Sequence, residues 1–354
     1  MFSEVRKRVR KIGQPPGSPV YTGEKSGTPV ITVTTYNASE VSESTGKTLE
    51  SCSLEKKEGG VTWINVEGLQ DVKLIEQLAK QFNLHPLTVE DILNVDQRPK
   101  VEDFDNYLFI TLKVLHWHAK KSVFTISQLS LVIGKDFVLS FQELDTTRFD
   151  DLRKYLQNNT HQRLREQGAD YLGYRMIDTI VDEYFIVLEA LGDQIEDVES
   201  KVINNPCQRN ARIIYKLKRQ MIMLRKAIWP MREALSHLLY MDDILVSKFT
   251  RVYLRDVYDH TMQAIDTLET FREMLSSMLD MYLSGLTIRM NEIMKTLTII
   301  TTIFIPITAL SSIYGMNISD VPFMHSARPF LIIGSIMLLI VILMMTYFRK
   351  KKWI

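Results

Sequence analysis

Residues Asn291 to Asn317 read NEIMKTLTIITTIFIPITALSSIYGMN. Thr296 to Ile313 carries no charge and has the length and apolarity of a membrane-crossing helix. A helix facing lipid all round would have little use for Thr298, Thr301, Thr302, Thr308 and Ser312. At about 100° per residue, most of these hydroxyls share roughly a third of the circumference with Asn291, Met294 and Ile305. One face of this helix is polar enough to meet water.

A second uncharged run, Phe330 to Phe348, is rich in Leu, Ile, Met and Val, as a lipid-facing helix is. Polar groups within a membrane belong where they find partners or line a cavity. The first span is therefore expected to line a passage and the second to surround it. One lining helix per chain cannot enclose a passage, so conduction requires several copies closed about an axis. Arg349-Lys350-Lys351-Lys352 follows the second span, and Arg289 and Lys295 stand at the start of the first. The excess of basic residues at these ends places both termini on the cytoplasmic side and the short connection outside.

The chain has 354 residues and a net charge of +1, which averages a charged body with a neutral membrane segment. Cys52 and Cys207 lie far apart and fit neither a disulfide framework nor a zinc motif. Met1 to Gly13 is basic but leads into Pro15-Pro16-Gly17-Ser18 instead of an apolar core, so insertion is expected to come from the C-terminal spans.

The body divides by composition. Thr32-Val33-Thr34, Val61 to Val66, Tyr107 to Trp117 and Val123 to Phe141 read as strands, with helices expected at Val72 to Phe82 and Pro86 to Leu93. This is an α/β domain with one sheet. It has no glycine-rich phosphate loop, nucleophile elbow or His-Glu metal motif, and nothing in it argues for an enzyme. Ser18 to Gly60, rich in Ser, Thr, Gly and Lys, includes loops that receive no assignment around the strand at Thr32-Val33-Thr34. Gln162 to Asn204 reads as one long helix interrupted by Gly168, Gly173 and Gly192, and Asn210 to Tyr240 as a second with Pro230 expected to kink it. A third runs from Phe249 to Ile313, on the order of 95 Å at 1.5 Å per residue, with Gly285 its expected weak point. In it Leu268, Leu275 and Tyr282 recur with Phe271, Met278 and Gly285 as a heptad seam that leads into the span. The expected division is a cytoplasmic α/β domain over residues 1–143, a long-helix region over 144–290, and a membrane domain over 291–354 with spans at about 292–313 and 330–348.

Tyr314-Gly315-Met316-Asn317 at the end of the first of two C-terminal spans, the tail Lys350-Lys351-Lys352-Trp353-Ile354, His85-Pro86 followed by Glu90-Asp91-Ile92-Leu93-Asn94, and Arg255-Asp256-Val257-Tyr258-Asp259-His260 resemble the CorA family of magnesium transport proteins. The resemblance covers the chain beyond about Thr62. It implies an α+β membrane protein: an N-terminal α/β cytoplasmic domain, long helices and two C-terminal transmembrane helices, assembled as a homopentameric funnel. The implied partners are copies of the chain itself, membrane lipid and hydrated divalent cations, with no nucleic acid.

The chemistry of the stretch agrees. Magnesium holds its water tightly and demands near-octahedral oxygen geometry, so a pore that stripped it with carboxylates would bind it too well to release it. Amide and carbonyl oxygens can instead accept hydrogen bonds from the ion's water shell. Tyr314, Gly315, Met316 and Asn317 are thus the expected selectivity filter, with Gly315 permitting close backbone approach. Inward, Asn291, Thr298, Thr301 or Thr302 and Thr308 offer further oxygens, interleaved with Met294, Leu297 and Ile305, whose rings can close a pore by dewetting. The family's apolar constrictions match Met294, Leu297 and Ile305.

The resemblance also implies an intracellular regulatory Mg2+ site between neighbouring cytoplasmic domains, formed at Asp91 and Asp256 with Glu90 and Asp178 nearby. Magnesium is then both transported and regulatory, with Co2+ or Ni2+ as further candidate ions. In one place the sequence departs from the pattern. Many members carry Met-Pro-Glu-Leu in the outer loop, whereas this loop reads Ile318-Ser319-Asp320-Val321-Pro322-Phe323, with Asp320 as its carboxylate. Two other readings stay open: a zinc or cobalt transporter of the same layout, and a membrane-anchored metal sensor or scaffold.

Overall fold

The computed structural model describes residues 13, 15–23, 27–52, 57–143, 147–158, 162–241, 245–316 and 329–353. Runs of β-branched and aromatic residues form one seven-stranded sheet. Its strands are β1 (Val30–Tyr36), β2 (Val41–Gly46), β3 (Val61–Glu67), β4 (Lys100–Phe104), β5 (Tyr107–His118), β6 (Val123–Gly134) and β7 (Phe137–Gln142). Their order is β2-β1-β3-β7-β6-β5-β4. The pairing of β3 with β7 is parallel and the others are antiparallel. β3 is buried along its whole length, while β2 and β4, at the edges, keep polar and charged residues that deter further pairing.

One face of the sheet packs on α1 (Val72–Gln81) and α2 (Pro86–Leu93), where Ile31, Val33, Ile64, Val66, Leu139 and Phe141 meet Ile75, Leu78 and Ile92. Both helices begin where local chemistry satisfies their first amides. Asp71 accepts from the Leu74 amide at 3.3 Å, and His85 Nδ1 accepts from the Leu87 amide at 3.2 Å ahead of Pro86. On the opposite face lie α3 (Asp150–Gln157), α4 (Gln162–Glu166) and α5 (Ala169–Asn204). Phe149 sets its ring edge-on to Trp63 at 5.9 Å, and the Tyr184 hydroxyl donates to the Lys113 carbonyl at 2.5 Å. A buried polar chain holds β3 against β7. Trp63 Nε1 donates to Ser140 Oγ at 2.9 Å, Ser140 Oγ donates to Asn65 Oδ1 at 2.6 Å, and Gln142 Nε2 donates to the same oxygen at 3.0 Å. A one-residue slip would orphan all three groups in the core, so the network specifies register.

Three expectations change. Beyond the expected strand at Thr32-Val33-Thr34, which is β1, the segment Ser18 to Gly60 also holds β2. The strand β4 is short and highly charged and carries no strand pattern, whereas α3 lies within the helical region expected from about Asp145. The long helix expected from Gln162 breaks at Gly168 but runs unbroken through Gly173 and Gly192. These two glycines are contact points: a Cβ at Gly173 would stand 2.3 Å from Ile133 Cδ1, and one at Gly192 would stand 3.1 Å from a Phe271 ring carbon.

After α6 (Gln208–Tyr240), helix α7 (Lys248–Tyr314) continues for 67 residues, about 100 Å at 1.5 Å per residue, and α8 (Pro329–Lys350) closes the described chain. Both α7 and α8 are long and apolar enough to cross a membrane. The heptad seam is buried within the chain at Leu268, Leu275 and Met278, but Leu283, Leu286 and Ile288 beyond it are exposed. By contacts the chain forms two units, Met1–Asp197 with Ile213–Leu275, and Val198–Arg212 with Ser276–Ile354.

Within the second unit, Gly285 is a seat for Pro206. A Cβ there would stand 2.7 Å from Pro206 Cγ and 3.1 Å from its Cβ, and α7 stays helical through it. Pro206 is presented by the turn between α5 and α6. Asn210 Nδ2 braces that turn by donating to the Lys201 and Asn205 carbonyls at 3.2 and 3.0 Å. Gly285→Ala would gain about 1 kcal/mol of helix propensity but must displace a rigid ring, which costs about 1–3 kcal/mol. The variant is expected to speed amide hydrogen exchange across 201–211 while leaving that of α7 no faster; unchanged exchange in the turn would refute the seat.

Candidate functional site

The uncharged part of α7 is defined by what covers it. No residue of its most apolar 18-residue window, mean hydropathy 1.8, is buried by the rest of the chain, and the same holds for α8 at 2.6. A helix of a soluble core would be covered by its own domain; this one leaves Leu297, Phe304 and Ile305 more than half exposed. Apolar surface on that scale requires lipid or other copies of the chain.

Asn291, Met294, Leu297, Thr298, Thr301, Ile305 and Thr308 all fall among the exposed positions, whereas Thr302 is half-buried at the margin of that face. The hydroxyls are already committed as donors. Thr298 Oγ1 donates to the Met294 carbonyl at 2.8 Å, Thr301 Oγ1 to the Leu297 carbonyl at 2.7 Å, and Thr308 Oγ1 to the Phe304 and Ile305 carbonyls at 3.0 and 2.9 Å. A hydroxyl that has spent its proton on its own helix presents lone pairs alone. The stripe is therefore a column of acceptors, matched to anything whose outer surface is hydrogen, such as the water shell of a cation. Gly315 and Met316 are exposed and Tyr314 is half-buried beyond the last turn of this column. Asn317 and Asp320 lie outside the described residues.

The acidic residues form two patches. Glu90 and Asp91 stand at the end of α2, whose start is pinned by the Tyr107 hydroxyl: it accepts from the His85 amide and bonds Thr88 Oγ1, each at 2.9 Å. Asp91 is strongly engaged. Lys100 Nζ donates to its Oδ2 at 2.6 Å and Gln97 Nε2 to its Oδ1 at 2.8 Å. Burial raises its carboxyl above the usual range, opposed by the bonds and charge of Lys100. Glu90 accepts from the Gly17 amide at 2.7 Å. A metal arriving at Asp91 must take the carboxylate from Lys100.

Asp178 lies in the second patch, on α5. A stack of Tyr171, Tyr174, Phe249 and Tyr253, with ring centroids 5.1–5.8 Å apart, packs the start of α5 on the start of α7. Arg175 Nη1 donates to Asp178 at 2.7 Å. Burial raises the Asp178 carboxyl, Arg175 lowers it, the charges of Asp182 and Asp256 raise it further, and His260 lowers it. Asp178, Asp182 and His260 bring their ligand atoms within 4.8 Å of one another, a constellation able to hold a cation. Asp256 is exposed beside them.

Asp178 and Asp256 are thus neighbours in one chain, whereas Asp91 and Glu90 find their electrostatic partners in Lys100, Glu102 and Gly17. Asp182 and His260 were not among the expected ligands. The signal was present: Asp178 and Asp182 are four apart and share a helix face, and His260 stands four after Asp256.

Comparisons with known proteins agree with this arrangement. Residues 58–350 match the model of the CorA-like Mg2+ transporter protein family. The cobalt/magnesium transport protein CorA of Thermotoga maritima is 41% identical over 351 residues, covering 99% of this chain and 100% of that relative. A putative metal ion transporter of Bacillus subtilis, YfjQ, is 30% identical over 82% of this chain and 89% of its own length. The complete structure of the CorA magnesium transporter from Methanocaldococcus jannaschii superposes with a TM-score of 0.76 at 26% identity, covering 91% of this chain and 98% of that one. The membrane-competent helices, the acceptor stripe and this whole-length similarity have one explanation: the chain belongs to the CorA-like Mg2+ transporter family.

Proposed function

We propose that the chain is a passive divalent cation channel, a homopentamer that admits magnesium down the membrane potential, with no chemical step. The observation that carries the reading is the exposed acceptor column of Thr298, Thr301 and Thr308 on an otherwise apolar helix segment in which the chain fully buries no residue. Membership of the family supports it, as does the transport of cobalt and magnesium named for the Thermotoga maritima relative. Co2+ and Ni2+ are further ions of the same charge that such a column would accept.

In this reading five α7 helices line the pore and five α8 helices face lipid, with both termini in the cytoplasm. Residues 1–143 and 144–290 form the cytoplasmic portion, and 291–354 the membrane domain. Tyr314, Gly315, Met316 and Asn317 form the filter, where Asn317 amides accept from the ion's waters. Asn291 adds an amide at the inner end, and Thr302 contributes from the margin. Met294, Leu297 and Ile305 are apolar rings that close the column by dewetting. Asp91 and Glu90 of one protomer meet Asp256 and Asp178 of the next around a regulatory Mg2+. A metal there closes the pore if it binds the closed state better than the open one.

Potential-driven magnesium uptake into liposomes holding the purified protein, followed with an internal dye, tests the pore. Asn317→Ala is expected to abolish uptake and preserve a pentamer by native mass; uptake equal to wild type would reject the filter, and a monomeric or dimeric wild type would reject the channel. The regulatory site has a separate test. Lys100→Gln frees Asp91 of a charge-assisted bond worth about 1.5–3 kcal/mol before solvent screening. Magnesium protection of the full-length protein against protease is expected to reach its midpoint at several-fold lower concentration, whereas an unchanged midpoint would remove Asp91 from the site.

A further inference from the structure

His116 and His118 lie on β5 two residues apart, so they project from one face of the sheet with Trp117 on the other. Their ring centroids are 4.8 Å apart and the planes cross at 77°. His116 is exposed and His118 half-exposed, opposite Thr125 and Val123 of β6. His118 Nε2 is bonded to Thr125 Oγ1 at 3.0 Å. From these groups we infer a transition-metal site on the soluble portion of the chain, independent of the carboxylate patches and of the channel reading: a two-histidine chelate for a borderline cation such as Zn2+, Ni2+ or Cu2+.

The spacing fits one ion between two imidazoles. With metal–nitrogen bonds of about 2.0–2.1 Å, each ring centroid lies about 3.2 Å from the metal. Two such rings stand about 4.5 Å apart at a right angle and about 5.2 Å apart at the tetrahedral angle. The observed 4.8 Å lies between these limits. Thr125 provides the outer support that metal-binding histidines ordinarily have. With Thr125 Oγ1 accepting the Nε2 proton, His118 Nδ1 is the nitrogen left for the metal. His116, exposed, turns to present its own nitrogen, and water completes the sphere.

The half-buried Glu183 carboxylate is near enough for His116 to lower its pKa, although burial raises that pKa most and Arg148 opposes the rise. Arg148 Nε donates to both Glu183 oxygens at 2.8 and 3.0 Å, so Glu183 is engaged by Arg148 and the proposed ligands are the two imidazoles and water. Imidazole nitrogen also sets the selectivity. Magnesium prefers oxygen and keeps its waters, so an excess of it leaves this site alone, in contrast to Asp178, Asp182 and Asp256.

The test titrates the full-length protein in detergent with Ni2+ and with Zn2+ by calorimetry in excess Mg2+, and with Cu2+ by electron paramagnetic resonance. The expected result is one site per chain whose Cu2+ spectrum carries coupling from two nitrogens. His116→Gln should cost the second nitrogen, and Thr125→Val should weaken binding about tenfold. Asp178→Asn with Asp182→Asn and His260→Ala should leave the site intact. Absence of binding by the wild type, or a two-nitrogen signal that survives His116→Gln, overturns the inference. Loss of that signal in the Asp178, Asp182 and His260 variant also overturns it, by assigning the ion to that cluster.

Discussion

No residue in the last third of α7 is fully buried by its own chain, and the rest of the structure is arranged around that constraint. Up to Met278 the helix buries its seam within the same chain; beyond Leu283 most of its large apolar side chains are exposed, with Ile299, Ile303, Ile307 and Leu310 half-buried. Burying apolar surface contributes about 25 cal/mol per Å². A surface this apolar cannot stay in water. Lipid can satisfy Ile300 and Phe304, but it gives nothing to a column of hydroxyl lone pairs. Those acceptors need water, and a helix wanting lipid on one side and water on the other needs copies of itself to separate the two. For the proposed channel, oligomerisation is therefore a demand of solvation.

How much of this was legible in the sequence depended on whether a residue's neighbours were near in the chain. Long periodic elements were. The spans, the central strands and the helices Val72–Gln81 and Pro86–Leu93 stand where pattern and caps put them. Short charged elements were not: β2 and β4 are sheet edges, whose residues are chosen to stay polar and so lose the alternation that would betray them. Glycines misled for a related reason. Gly173, Gly192 and Gly285 look like breaks in a helix, yet each makes room for a side chain from elsewhere, Ile133, Phe271 or Pro206. Those contacts are tertiary, and no local pattern encodes them.

The same distinction separates the pore candidates from the acidic ones. The stripe on α7 is a property of one helix and follows from residue spacing. The donor commitment that makes it an acceptor column also follows, since Thr in a helix bonds back to the carbonyl one turn earlier. The acidic patches are assembled from α2, α5 and α7, and their electrostatics turn on partners that spacing cannot supply. Lys100 on β4 holds Asp91, and Arg175 holds Asp178. Both carboxyls are nonetheless raised by burial, so each pays for its charge and is stabilised by any further cation that arrives.

A carboxylate already held by lysine makes a weak metal ligand, and weakness suits a regulator read by several subunits. Moving a two-state equilibrium from 1:99 to 99:1 requires about 5.5 kcal/mol of differential binding. Spread over the five equivalent sites of the proposed pentamer, that is about 1.1 kcal/mol each, roughly a sixfold preference for the closed state at every site. No site needs to bind magnesium tightly; each needs geometry that differs slightly between the two states. An unpaired, preformed cage would hold its ion in both states and would report nothing. In the proposed site, competition between Lys100 and metal for Asp91 would keep binding within the concentration range where occupancy can change, and α7 carries Asp256 on the same unbroken helix as the acceptor column.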